Sequence, residues 1–494
     1  MPMETPLLAD IRTTLASLMH RRAAFSVAAL GCIFLLSACK TFTPDGGMDV
    51  VAGIAGGELR QNVIAIRSPD EAAAARTAVE RLLKRRLSAD AAVQIALLNN
   101  RGLQAAYNEL GLAEAAMVEA SLPPNPTFSV ERLAGPLEIE FERRIIANIL
   151  ALATLPARAE IAGDRFRQAQ LRAAEETLRI AAEARRSYYR AVASREIVEF
   201  LTQAQSAAET ATKLAQRLGE TGAMNKLDQA REQVFYAEIT AQLARVRQAA
   251  SSEHERLIRL MGLWGNDLGF RLPSALPPLP GQPRSLPQVE MEAIKRRIDL
   301  QIARIELEAL AKSYGLTQAT RFINLLEVAG IARTTKEKAT GERIRDRGFE
   351  VEFQIPIFDF GEVRVRQAEQ TYLLVFNRLT EKAVNVRSEA RDAYRAYRSS
   401  YDIASHYQRE VLPLRKIISD ETLLRYGAMQ IDVFALLAEA RQRITATSQA
   451  IEAKRDFWVA YVDLGMAIIG GGVSGSKTEL PGTMTAAPTA TGGH

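Results

Sequence analysis

Apolar residues follow a helical period over the longest stretches of the chain. From Pro156 to Arg217 there is no internal proline and a single glycine, and Ala, Arg, Gln, Glu and Leu dominate, which predicts one nearly unbroken helix. At ~1.5 Å per residue it is roughly 90 Å long, more than the depth of an ordinary globular domain. The segment returning to Met261 carries mostly small residues at alternating spacings of three and four: Leu227, Ala230, Val234, Ala237, Ala241 and Ala244. The outgoing arm shows the same spacing at Leu171, Ala174, Leu178 and Ala181, so the two arms are predicted to pack as an antiparallel hairpin closed at Gly222.

The period changes to two before this hairpin. A helix predicted from Ser88 to about Ala120 ends at the proline-rich segment 122–126, because proline lacks an amide donor and restricts its neighbour. A short strand follows at 127–133, and after a turn the apolar residues of 137–141 alternate with Glu138, Glu140 and Glu142. One apolar face and one acidic face are typical of the wall of a water-filled barrel.

The same order of elements then repeats. After six prolines in 272–287 come a second helix, a second strand pair at 321–333 and 349–358, and a polar loop at 334–347. A second long helix starts after Gly361, with Leu379, Ala383, Val386, Ala390, Ala393 and Tyr397 on a heptad seam. Pro413 is predicted to bend or bulge this helix, and a second turn lies at 426–432. An internal duplication is therefore visible in the sequence alone.

The predicted fold class is mainly α with a small β-barrel contribution. The predicted segments are a lipoprotein signal peptide (1–38), a lipidated, extended tether (39–69), the first repeat (70–271), a proline-rich linker (272–287), the second repeat (288–469) and a disordered tail (470–494). The long helices by themselves fit a cytosolic structural coiled coil equally well. The two alternating strand pairs favour a membrane channel instead.

Composition narrows the function further. The formal charge of +5 comes from Arg and Lys spread among Glu on helix faces, which indicates solvated surface and no nucleic-acid footprint. The four histidines, His20, His254, His406 and His494, are isolated, and no Gly-x-Ser-x-Gly elbow is present, so we predict no enzyme. Near 471–478 the sequence approaches a phosphate loop, but Ser476 stands where a glycine is required.

The N-terminus has the features of an export signal. His20-Arg21-Arg22 precede a short apolar run, and both cysteines of the chain, Cys32 and Cys39, lie within the first forty residues. Leu36-Ser37-Ala38-Cys39 resembles the bacterial lipobox, which implies acylation of Cys39. A plain signal peptide with a chance cysteine is the alternative. Lys40 follows the cysteine, and by the same resemblance the absence of Asp there favours the outer membrane.

Four stretches together resemble the TolC-like outer-membrane efflux family: 88–116, 122–126, 220–228 and 353–361. The resemblance extends over both repeats. It implies a homotrimer in which each protomer contributes four strands to a shared 12-stranded barrel and two helical hairpins to a trimeric α-barrel tunnel. A twelve-stranded barrel agrees with the requirement that every backbone donor and acceptor in lipid be paired.

The resemblance also assigns roles to the two helical turns, whose tips would meet a periplasmic adaptor protein. The implied adaptor-contact residues are Gly222, Met224, Asn225, Leu227, Asp228, Tyr426, Gly427, Met429 and Ile431. The second turn departs from the family pattern: aligned without gaps, Met429 takes the usual glycine position and Asp432 the usual serine. Aligning the two Gly-Ala-Met runs instead shifts the register by two. Asp420 and Asp432 are the candidate gate residues.

The expected function is a passive outer-membrane conduit, lipid-anchored and mostly periplasmic, for substrates delivered by an inner-membrane pump and an adaptor. Metal ions and organic compounds are equally open as substrates. We expect no cofactor, no metal site and no nucleic-acid partner. The expected lipids are those of the outer membrane and the covalent lipid on Cys39. The alternative is a lipid-anchored periplasmic coiled-coil structural or adaptor protein.

Overall fold

The computed structural model of the protein describes residues 41–470. The predicted signal peptide, Cys39 and residues 471–494 of the predicted tail lie outside this range. The chain divides into two compact units. The first holds residues 41–47, Asn108–Ala169 and Ile305–Phe376, and the second holds Met48–Tyr107, Gln170–Arg304 and residues 377–470.

Helices dominate the described chain, and a single four-stranded sheet belongs to the first unit, as the predicted fold class requires. The main helices are α1 (Pro69–Leu83), α2 (Ala89–Asn99), α3 (Arg101–Ser121), α4 (Ile149–Ala153), α5 (Leu155–Glu220), α6 (Lys226–Met261), α7 (Val289–Arg296), α8 (Ile298–Ala319), α9 (Glu362–His406), α10 (Leu412–Gly427) and α11 (Val433–Ile469). The strands are β1 (Thr127–Ala134), β2 (Glu138–Asn148), β3 (Leu325–Glu337) and β4 (Arg343–Gln354).

The first two of these helices begin at serine caps, and Ser88 is the predicted start of the second. Ser68 forms a complete capping box with Glu71 at the start of α1, and the Ser88 hydroxyl accepts from the Ala91 amide at the start of α2. The stretch before Ser68 was predicted to be extended, which is wrong for residues 48–59, because they form short helical turns.

Each repeat breaks its first helix at the same place. The predicted continuous helix of the first repeat is interrupted at Asn100, and that of the second at Arg297, both with extended backbone (ψ 113° and 121°). The Asn100 side chain stabilises the break by donating to the Leu260 carbonyl at 2.9 Å and accepting from the Leu103 amide at 3.1 Å. Two matching interruptions, unpredicted from the sequence, are further evidence of the duplication.

Ion pairs stabilise the second break. Arg297 is almost fully buried, donates to both carboxylate oxygens of Asp299 at 2.9 and 3.1 Å, and lies 2.5 Å from a Glu389 carboxylate oxygen. These neighbours keep the pKa of the guanidinium raised despite burial, which by itself would lower it.

The sheet is an antiparallel meander in the order β1-β2-β3-β4. The predicted loop at 334–347 is too long, because β3 and β4 pair out to Lys336 and Arg343 and leave a connection of five residues, 338–342. The second predicted strand also ends earlier, at Gln354 instead of Phe358. Both connections, β1–β2 and β3–β4, therefore lie at one end of the sheet, and the helices begin and end at the other.

The first long hairpin forms as predicted, but its two arms do not pack through the predicted small residues of α6. The predicted small residues on α6 are exposed, and the buried face instead contains Glu232, Phe235, Ile239 and Leu243. Hydrogen bonds from Gln205 to Thr240 (3.1 Å) and from Thr212 to the Glu232 carbonyl (3.2 Å) set the register of α5 against α6. The arms therefore pack through a face offset from the heptad series.

The seam predicted on the outgoing arm is buried, but against other partners. Leu171, Ala174, Leu178 and Ala181 lie far along α5 from the residues that face α6. Nearby, the Tyr107 hydroxyl of α3 lies 2.9 Å from the Thr177 hydroxyl, and burial raises the pKa of Tyr107 to about 12. This part of α5 thus packs on the first-repeat helices.

The second long hairpin matches its predictions more closely. Val386, Ala390 and Tyr397 on α9 are buried in a core that includes Phe457 of α11. A π-helical turn, Tyr407–Val411, immediately precedes Pro413, which is the predicted local bulge. The proline-rich linker has no helix or strand between 272 and 287, yet it is packed: Lys454 and Trp458 donate to its carbonyls at 2.9 and 3.1 Å.

Candidate functional site

The first helical turn closes with a Schellman motif. The Gly222 amide donates to the Gly219 carbonyl at 3.1 Å, and the Ala223 amide donates to the Leu218 carbonyl at 2.8 Å. Gly222 has a φ of +76°, in the left-handed region where a glycine carries no penalty. These bonds satisfy the last carbonyls of α5 and reverse the chain in five residues.

The next helix is capped by residues predicted to contact an adaptor. The Asn225 side chain accepts from the Asp228 amide at 2.9 Å and donates to the Asp228 carboxylate at 2.8 Å. The Met224 carbonyl accepts from Gln229 at 3.0 Å. Asn225 and Asp228 therefore have a structural role in the turn, whereas the Leu227 side chain is 59% exposed.

The second turn has the same backbone. The Met429 amide donates to the Tyr426 carbonyl at 3.0 Å, and the Gln430 amide donates to the Arg425 carbonyl at 2.9 Å. Asp432 caps α11, since its carboxylate accepts from the Ala435 amide at 2.9 Å. The gap-free alignment is therefore the correct one, with Met429 equivalent to Gly222 and Asp432 to Asn225.

Met429 departs most from ordinary backbone preference in this turn. Its φ is +56°, in the left-handed region, which costs an L-residue about 1–2 kcal/mol relative to glycine. Its side chain is 94% exposed, so burial within the chain does not offset that cost. Strain at an exposed residue is often tied to function, and this hydrophobic side chain stands at the tip of the hairpin.

The other predicted tip residues lie in or beside the two turns, and the two candidate gate residues lie apart from each other in the sequence. Tyr426 and Gly427 end α10, Ile431 is half-buried before α11, and all nine tip residues fall within the two turns and their flanking helical residues. The Asp420 side chain is exposed on α10 and forms no hydrogen bond or ion pair with any residue in the described range. Within the described range, Asp420 and Asp432 therefore form no hydrogen bond with each other.

The return arms are held together behind the turns. Phe235 and Ile239 of α6 form a cluster with Ala208, against which Leu437, Ala440 and Ile444 of α11 pack. The Arg441 guanidinium lies 5.0 Å from the centre of the Phe235 ring and 3.3 Å from the Glu238 carboxylate.

A buried acid accompanies this cluster. Burial raises the pKa of Glu232, and the nearby charge of Arg441 acts in the opposite direction. The sequence analysis missed Phe235 and Arg441. The recurrence of Phe235, Ile239 and Leu243 every four residues was the available signal.

The strand register separates the sheet into two chemically different faces. One face is apolar over the half nearest the helices, where Phe128, Ile145 and Phe349 lie in one row and Val328 and Val351 in the next. The other face carries nine acidic residues and only two basic ones. These are Glu131, Glu138, Glu140, Glu142, Glu327, Glu337, Asp346, Glu350 and Glu352, with Arg144 and Arg333.

Both arginines of the acidic face are engaged in ion pairs. Arg333 contacts Glu140 at 2.6 Å and Glu142 at 2.8 Å, and Arg144 contacts Glu142 at 3.1 Å and Glu350 at 3.5 Å. A strong excess of negative charge remains. The alternating glutamates of β2 and β4 therefore lie on one face of the sheet, and the apolar residues between them lie on the other. The first face suits water and the second suits an apolar environment.

None of the helices between residues 41 and 470 is both long and apolar enough to cross a membrane. Over the same residues, no group of three or more His, Cys, Asp or Glu side chains is placed to hold a metal ion.

Comparison with known proteins shows what part of this chain is similar to. Residues 291–419, from α7 into α10, match the model of the outer membrane efflux protein family. Within the second repeat, this stretch is thus similar to an outer membrane efflux protein. This match confirms the resemblance noted in the sequence. A comparison of the sequence with curated proteins gave no match.

Solved structures confirm the predicted fold of the chain. CusC matches with a TM-score of 0.66 at 17% identity, covering 78% of this chain and 92% of CusC. The CmeC outer membrane channel of Campylobacter jejuni matches with a TM-score of 0.65 at 16% identity, covering 78% and 86%. The MtrE outer membrane channel of Neisseria gonorrhoeae matches at 0.62 and 14%, covering 77% and 88%. The chain thus shares the fold of these outer-membrane channels.

Proposed function

We propose that this protein is the outer-membrane channel of a tripartite export system, a passive conduit without a cofactor for substrates delivered by an inner-membrane pump and a periplasmic adaptor. The observation that carries the proposal is the sheet with one apolar and one acidic face, joined only to helices at one end. A wall of this kind suits lipid on one side and water on the other.

The sheet is incomplete in a single chain. Its order, β1-β2-β3-β4, leaves β1 and β4 as open edges, and every residue of both strands is exposed. Open edges are not tolerated in lipid, because each unpaired backbone group there costs several kcal/mol. Three copies, with β4 of each beside β1 of the next, give a closed barrel.

Exposed helix surface supports the same assembly. The small residues predicted as the inner seam of α6 face outward, with Val234 53% exposed beside the exposed Ala230, Ala237, Ala241 and Ala244. Small residues at heptad spacing allow a neighbouring helix to approach closely. We assign this face to contact between protomers in the tunnel wall.

The two turns are the proposed adaptor-contact surface. Their shared backbone presents Leu227 and Met429 as exposed apolar side chains. Exposed apolar anchors on a rigid turn suit binding of a second helical protein. The lipid on Cys39 would add a second membrane anchor.

The gate is proposed to lie at the same tips. Asp420 is free of intrachain ion pairs in the described range and is available to contacts between protomers, whereas Asp432 also caps α11. Asp432→Asn removes the charge but keeps a good cap, and Asp432→Ala removes both.

Conductance in planar bilayers tests the channel and the gate together. We expect discrete conductance steps from the purified protein, and larger steps from Asp420→Asn and Asp432→Asn if their charges hold the mouth narrow. Asp432→Ala, matched to Asp432→Asn, shows how much of any change is loss of the cap. The absence of steps from a membrane-inserted protein would refute the channel, and unchanged steps in both Asn variants would remove these residues from the gate.

A further inference from the structure

The apolar face of the sheet carries an unexpected set of cations. Six basic residues lie on this face, and no acidic residue of any strand does. They are Arg132, Arg143, Lys336, Arg343, Arg345 and Arg347. All six are exposed.

These cations are confined to one end of the sheet. Lys336 pairs with Arg343 in the row nearest the strand connections, Arg132 and Arg345 share the next row, and Arg143 and Arg347 share the third. At ~3.4 Å per residue, the three rows span about 14 Å along the strands. The rows closer to the helices contain only apolar residues, among them Phe349 and Phe353.

The six cations are not neutralised by the chain. Arg132 lies 5.5 Å from the centre of the Phe141 ring, and none of the six forms an ion pair with a residue between 41 and 470. The two arginines of the acidic face, by contrast, are both paired with carboxylates. The acidic residues at neighbouring positions of the same strands cannot neutralise these cations, because their side chains point to the opposite face.

Closure of the barrel does not supply partners either. The edge strands β1 and β4 both place bases and no acids on this face, so joining β4 of one copy to β1 of the next sets cations beside cations. An external anion would offset their repulsion once the sheet lies in a membrane. The surrounding apolar rows indicate that this anion belongs to a lipid and not to a soluble molecule.

We propose that this basic surface, Arg132, Arg143, Lys336, Arg343, Arg345 and Arg347, binds the phosphate groups of lipids in the leaflet nearest the strand connections. Arginine forms paired hydrogen bonds with phosphate, and the apolar residues between the cations pack on the acyl chains. With the helices on the periplasmic side, that leaflet is the outer one. The inference rests on the proposed function, because it requires the sheet to lie in the membrane.

The test compares lipids on the intact, full-length protein in nanodiscs. Bisphosphorylated lipid A, lipid A with its phosphates removed, and phosphatidylethanolamine are supplied in equal amounts, and lipids that remain bound are counted by native mass spectrometry. We expect retention of the phosphorylated form over the dephosphorylated form by at least about tenfold, since each basic residue at an anionic surface contributes a factor of about five. Equal retention of the two forms by the wild-type protein would overturn the proposal without any variant.

Two variants of β4 localise the effect. Arg343→Gln, Arg345→Gln and Arg347→Gln together remove half of the surface, and Asp346→Asn, Glu350→Gln and Glu352→Gln together neutralise three charges on the opposite face of the same strand. We expect the first triple variant to lose at least about tenfold of the preference for phosphorylated lipid, and the second to keep it. Unchanged preference in the first variant would overturn the proposal.

Two controls separate the possible failures. Displacement of the lipid by millimolar inorganic phosphate would contradict a lipid site, because the apolar contacts would then contribute nothing. Flotation of each protein with liposomes reports insertion independently. A protein that inserts and conducts but shows no phosphate preference overturns only this inference, whereas one that fails to insert overturns the proposed function itself.

Discussion

Neutralising the acidic face of β4 should reduce the cation selectivity of the pore. On this face each chain carries nine acids against two paired arginines, an excess of seven negative charges. The triple variant Asp346→Asn, Glu350→Gln, Glu352→Gln lowers that excess to four. If the logarithm of the permeability ratio follows the wall charge, it should fall by about two fifths.

The assay is the reversal potential in a tenfold KCl gradient. A perfectly cation-selective pore reverses at about 59 mV, because a tenfold ratio is worth about 1.4 kcal/mol and 100 mV about 2.3 kcal/mol per charge. We expect the wild-type potential to have the cation-selective sign and to decrease toward zero in the variant. The difference should shrink in molar salt, where the Debye length falls to about 3 Å.

The matched control is the triple variant Arg343→Gln, Arg345→Gln, Arg347→Gln, which changes the same strand on its other face. Its reversal potential should equal that of the wild type, because in the proposed barrel the acids face the water and these arginines, on the opposite face of the strand, face the lipid. An equal shift in both triple variants, or no shift in the acidic one, would refute the assignment of the two faces.

The other predictions concern stability and anchoring. Met429→Gly should slow hydrogen exchange in the second turn by about fivefold or more, because it relieves about 1–2 kcal/mol of left-handed strain; faster exchange would contradict the strain. Arg297→Met should lower the free energy of unfolding by about 3 kcal/mol, since it leaves the buried Asp299 carboxylate with only the Lys382 ammonium, 3.6 Å away, and a thermal midpoint equal to the wild type would count against it. Cys39→Ala should abolish radiolabelled palmitate incorporation while sparing membrane insertion; persistent labelling would refute acylation there.

The sequence predicted most of the element order because strong local rules decide it. The alternation at Glu138, Glu140 and Glu142 identified both the strand and its faces, and the register of β2 with β3 later placed them as expected. Proline positions fixed the C-terminal end of α3 and the bulge before Pro413. Periodicity and proline chemistry act within a few residues, so one sequence is enough to see them.

Other features depend on which surfaces meet in space. The small residues Ala237 and Ala241 suited an inner seam, yet α6 buries Phe235 and Ile239 instead, because a heptad series does not state whether its partner belongs to the same chain. The break at Arg297 had no breaker residue, since buried ion pairs hold it. The only sign of the strain at Met429 in the sequence was the gap-free alignment of the two turns, which places this residue at the glycine position.

Cysteine accessibility along β4 is the most direct measurement of whether the sheet lies in a membrane around a water-filled pore. Both natural cysteines precede residue 40, so single cysteines can be placed at Phe349, Glu350, Val351, Glu352 and Phe353 of the inserted protein. A membrane-impermeant thiol reagent should label positions 350 and 352 and spare 349, 351 and 353. Equal labelling of all five positions would contradict the placement of the sheet in a membrane, because both faces of the sheet would then be in water.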